Sequence, residues 1–99
     1  MMTKEQRIAF IESFKNQIEK KKELLKVFKE NEKAIQALIS NQKDGNVALA
    51  SYKSLLAPQQ MQISELETLI SKWENQLEKW HNPQIEMMSD DDAIKYITS

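Results

Sequence analysis

The chain has no cysteine in its 99 residues, one glycine, two prolines and one histidine. Without cysteine there can be no disulfide, no thiolate metal ligand and no thiol nucleophile. One glycine and two prolines are too few turn formers for a fold of strands and tight turns. The formal net charge is -1, so no global field gathers nucleic acid or an anionic membrane. No apolar run approaches the ~18 residues needed to span a bilayer. The charged stretch Met1 to Phe10 has no apolar core of a secretory leader, so no signal peptide is expected. A cytoplasmic location is the expectation from these absences. The lone glycine sits in a turn and there is no phosphate-binding loop or nucleophile motif, so the chain reads as a non-enzyme without cofactor or metal.

What is present is a pair of matched apolar stripes. Ile11, Phe14, Ile18, Lys21, Leu25, Phe28, Glu32, Ile35 and Ile39 recur at alternating steps of three and four. The rhythm resumes after Asp44-Gly45-Asn46 with Leu49, Tyr52, Leu56, Gln59, Ile63, Leu66, Ile70, Trp73, Leu77 and Trp80. Such steps align side chains along one side of a helix. The spacing predicts an all-α fold, a coiled-coil-like antiparallel helical hairpin over residues 1–83, with an acidic tail at 84–99. The first helix is expected over about 3–42, with Thr3 and Gln6 forming a capping box. Asp44-Gly45 marks the turn at 43–46, since glycine accepts the left-handed conformation that ends helices. The second helix is expected over about 47–81, ended by Asn82-Pro83 because the residue before proline disfavours the α region. Pro58 interrupts it. The stripe keeps its phase across this proline, which favours a kink over a break. In the tail, Ser89 before Asp90, Asp91 and Asp92 is a helix-start signature.

Folding the stripes together sets Phe14 against Trp73 and Leu25 against Ile63. One flank then pairs Lys15 with Glu74 and Lys22 with Glu67. The other flank carries Phe10, Gln17, Leu24, Asn31 and Leu38 from the first helix, and Ala48, Leu55, Gln62, Leu69 and Gln76 from the second. That flank has no charge in a chain that is 29% charged. A solvated flank normally carries Lys and Glu, so this one is expected to be covered. The tail, about 16 residues or roughly 25 Å if helical, is too short to cover it all. A second copy, giving a homodimeric four-helix bundle, is the expectation. Phe10, Leu24, Leu38, Leu55, Leu69 and Trp80 form the candidate dimer or partner interface. Trp80 is included because tryptophan is enriched at binding hot spots and because the facing stretch near Arg7 and Ile8 is expected to fray. Lys21 and Glu32 occupy stripe positions that should be apolar, where polar residues set register and partner choice. Glu32 faces Leu56 and Gln59 beside Pro58, so the middle of the hairpin is expected to be its loosest part.

The remaining chemistry is sparse. Lys20-Lys21-Lys22, Lys26, Lys29 and Lys33 make the first half basic, with ten Lys and Arg against six Glu through Lys43. The one aromatic residue in that stretch, Phe28, belongs to the apolar stripe and is not set among the lysines for base stacking, which ranks a nucleic-acid-binding bundle below a protein-binding one. Met87-Met88 and Asp90-Asp91-Asp92 are a candidate docking motif. Glu78-x-x-His81 has the spacing of di-iron sites in small hairpins resembling encapsulated ferritins, but the likeness stops at these two residues and neither lies on the core stripe. Length and layout are similar to the small helical-hairpin substrates of type VII secretion. That resemblance implies a secreted hairpin, although their Trp-x-Gly turn is here Asp44-Gly45-Asn46. The leading functional expectation is a small protein-binding module: an adaptor, assembly factor or inhibitor whose partners are itself and another protein. Its size and style are those of phage-encoded accessory proteins.

Overall fold

The computed structural model describes residues 2–41 and 47–99. Its elements are helix α1 (Lys4–Ser40), helix α2 (Val47–Trp80), a short 3₁₀ turn (Pro83–Met87) and helix α3 (Asp90–Thr98). No strand occurs among the described residues. The turn expected at 43–46 lies outside them. Helices of 37, 34 and 9 residues hold well over three quarters of the chain.

The helix ends follow from local chemistry. The amide of Gln6 donates to Thr3 Oγ1 at 3.1 Å, and the amide of Thr3 donates to Gln6 Oε1 at 2.8 Å. This is the reciprocal capping box expected at the start of α1. Asn82 ends α2 and starts the 3₁₀ turn, its Oδ1 accepting from the amide of Gln84 at 3.0 Å, with Pro83 at the first position. There the missing proline N–H leaves no helical bond unmade. Ser89 caps α3, its Oγ accepting from the amide of Asp92. Helix α2 runs through Pro58 without a break, and Pro58 is exposed. The ring is therefore accommodated on the outward side, where water can reach the carbonyl it leaves unpaired.

α1 and α2 pack together as a hairpin. Every described stripe residue, from Ile11 to Ile39 and from Leu49 to Trp80, is buried or half-buried, including Lys21, Glu32 and Gln59. The chain divides into two compact units, one of Met1–Lys20 with Leu69–Ser99 and one of Lys21–Thr68. In the first unit, Phe14 meets Trp73 with ring centroids 5.8 Å apart, and Phe10 meets Trp80 at 5.5 Å. Residue numbers rise along α1 as they fall along α2, so the pairing is antiparallel and in the expected register. The tail belongs to this unit. Ile85, Ala93 and Ile97 are buried with Trp80, and Ile11, Met88 and Tyr96 pack against them. In the second unit Ile63 is buried, with 8% of its surface exposed, and Leu25 and Leu56 are half-buried. Glu67, expected opposite Lys22, pairs instead with Lys29 one heptad along, at 3.5 Å; long side chains on the flank reach across a turn or two, and the exposed pair adds little to stability.

Candidate functional site

The tail is held by Arg7, a residue the sequence reading placed in a fraying stretch. Its guanidinium donates to Asp90 Oδ1 from Nε at 3.1 Å and from Nη2 at 2.6 Å. It also donates from Nη1 to the carbonyl of Ile85 at 2.9 Å and from Nη2 to that of Met88 at 3.0 Å. The amide of Met2 donates to Asp90 Oδ2 at 2.6 Å. A planar fork of fixed donors suits this mixed carboxylate-and-carbonyl cradle, which a lysine could not fill. The fraying expectation is corrected here: this end is the more tightly bonded part of the first unit. The Asp90 carboxyl is held below the usual carboxylate range, first by the hydrogen bond from the Met2 amide and then by Arg7. At the other end of α3, Lys79 Nζ lies 3.0 Å from the Ser99 carbonyl and 5.7 Å from the centre of the Tyr96 ring. Asn82 Nδ2 donates to the Tyr96 hydroxyl at 3.0 Å.

This arrangement changes the standing of Trp80. With 8% of its surface exposed, and Phe10 and the tail cluster against it, Trp80 is core. It is withdrawn from the interface set because the tail already occupies the surface it would offer. Within the docking-motif candidate, Asp90 is taken by Arg7 and Met88 packs on the cluster, whereas Met87 is 92% exposed. His81 follows the end of α2, as expected, with Nδ1 3.1 Å from the Leu77 carbonyl.

The other interface residues divide between the units. In the first, Phe10 is exposed although it stacks on Phe14, and Leu69 and Gln76 are half-buried. In the second, Leu24, Leu38 and Leu55 are 39%, 43% and 56% exposed, with Asn31 and Gln62 exposed among them. No charged side chain belongs to this flank in either helix. Just beneath it the stripe is partly polar: Lys21 and Glu32 are half-buried, and Gln59 Oε1 is buried without a hydrogen-bond partner among the described residues. On α1, a groove of about 340 Å³ is lined by Lys22, Leu25, Lys26, Lys29, Glu30 and Lys33.

Among the described residues there is no cluster of three or more metal-ligating side chains, and no helix is long and apolar enough to cross a membrane. No protein-family model, curated protein or solved structure matches the chain.

Proposed function

We propose that the protein is a non-enzymatic binding module, an adaptor, assembly factor or inhibitor, that works through the uncharged leucine flank of the Lys21–Thr68 unit. One observation carries this reading: Leu24, Leu38 and Leu55 stand exposed on a flank without charge. Monomers rarely leave a contiguous apolar strip in water. A second copy is the occupant we favour. A flank without charge meets its own copy without repulsion, as a two-fold interface requires. Area points the same way. The chain exposes 7317 Å², whereas a compact monomer of 11.6 kDa exposes about 5,800 Å². The excess is larger than the roughly 800 Å² that each partner of a standard interface buries. Two hairpins joined along this flank make a four-helix bundle. Half-buried Lys21 and Glu32 then supply the polar positions that restrict register and partner choice.

Leu55→Glu tests the reading. Sedimentation of the variant should show a monomer, with the helical circular dichroism retained because Leu55 lies outside the intra-hairpin stripe. A variant that sediments like the wild type, or a wild type that is already monomeric, defeats self-association. The flank would then belong to a different protein.

A further inference from the structure

We propose that the lysine-lined groove on α1 is a second docking site, made for an acidic amphipathic helix of a partner protein. Lys22, Lys26, Lys29 and Lys33 follow steps of four, three and four. They form one cationic track about 16 Å long, three turns of helix. Leu25 lies beside the track, in the same shallow groove of about 340 Å³. Lys26 and Lys33 have no ion-pair partner among the described residues, and the Lys29–Glu67 pair is long and exposed, so an incoming carboxylate competes with it easily.

Three features choose the occupant. Lysines one turn apart match carboxylates one turn apart on a facing helix, a pattern of complementary charge that steers encounter and fixes register. Leu25 offers a contact for an apolar side chain set between those carboxylates. Among the described residues no aromatic side chain lines the groove to stack a base. The chemistry therefore fits an acidic helix better than a nucleic acid. The lysine track also lies roughly 170° around α1 from Leu24, at 3.6 residues per turn. Occupation of the groove thus leaves the leucine flank free, and the two sites can bind separately.

The test uses the full chain and a labelled helical peptide of about 14 residues, or roughly 21 Å, with Leu and Glu at heptad spacing. Fluorescence anisotropy should show binding that weakens at least tenfold in Lys26→Glu/Lys33→Glu and by a similar factor between low and moderate salt. It should persist in the Leu55→Glu background, which separates this site from the self-association surface. A scrambled peptide of the same composition should bind at least tenfold more weakly, since it cannot place Leu between its carboxylates. Three results would overturn the proposal: no binding by the wild type, equal binding of the scrambled peptide, or undiminished binding by the charge-reversed variant. A single-stranded oligonucleotide that outcompetes the peptide would overturn it too, assigning the lysines to nucleic acid.

Discussion

Among the described residues, the buried hydrophobic side chains are Ile18, Ile63, Ile70, Trp80, Ile85, Ala93 and Ile97, and all but Ile63 lie in the unit of Met1–Lys20 and Leu69–Ser99. Both units are built on the same heptad stripe from the same two helices. What differs is the cover. In the first unit a 3₁₀ turn and α3 fold over the aromatic end, and Arg7 bonds them down. In the second, no described residue plays that part, the stripe includes Lys21, Glu32 and Gln59, and three leucines are exposed. A two-helix layer has too little interior to bury its side chains on its own. The first unit meets that need within the chain. We assign the second unit's need to a partner, which is why its surface, and not the aromatic end, is the functional candidate.

The largest effect should come from removing the covered aromatic. Trp80→Ala should cost about 3–5 kcal/mol of stability, while Leu25→Ala in the other unit, half-buried, should fall near 2 kcal/mol. Chemical denaturation of both variants measures the contrast, and equal losses would erase the difference between the units. A smaller, local effect is expected from Arg7→Ala. Hydrogen exchange over residues 85–97 should quicken by about tenfold or more as the tail opens, with exchange in the Lys21–Thr68 unit unchanged. Uniform acceleration along the chain would mean that Arg7 supports the whole fold.

Acid should reproduce part of that opening. Because the Asp90 carboxyl is lowered in the folded state, its contribution is present above the unfolded value of about 3.9 and is lost as pH falls through the lower folded value. Tail protection in the wild type should therefore decline below about pH 4, and Asp90→Asn should lack that step. A decline in the variant identical to the wild type's would assign the step to other carboxylates. The smallest expected change is in the polar stripe. Gln59→Leu removes a buried unpartnered oxygen and should stabilise the protein by about 1 kcal/mol. Destabilisation would show that the amide has a partner in solution, as in a dimer.

The hairpin, the stripe, the caps at Thr3 and Ser89 and the end of α2 at Asn82-Pro83 were legible in sequence because each rests on near neighbours: steps of three and four, a side chain reaching an amide three residues on, or a proline next in the chain. The Phe14–Trp73 register was legible because a two-helix antiparallel pairing leaves few choices once the turn is placed. The Arg7–Asp90 bond was not, since it joins residues 83 positions apart and depends on a tail whose path no periodicity encodes. That bond is also why Trp80 read as an interface residue. A stripe shows that a side chain points inward, but not which later segment will close over it. The leucine flank was legible through what it lacks, charge, and Leu24, Leu38 and Leu55 on it are exposed. The polar stripe residues were visible as exceptions, but only atomic detail identifies Gln59 Oε1 as the one without a partner.

The central claim is that the uncovered leucine flank of the Lys21–Thr68 unit is covered by a second copy, and light scattering of the unmodified chain tests it most directly. At tens of micromolar, a range in which a standard-size interface is occupied, the mass should be about 23 kDa, twice the 11.6 kDa of the chain. A steady 11.6 kDa across that range would contradict it.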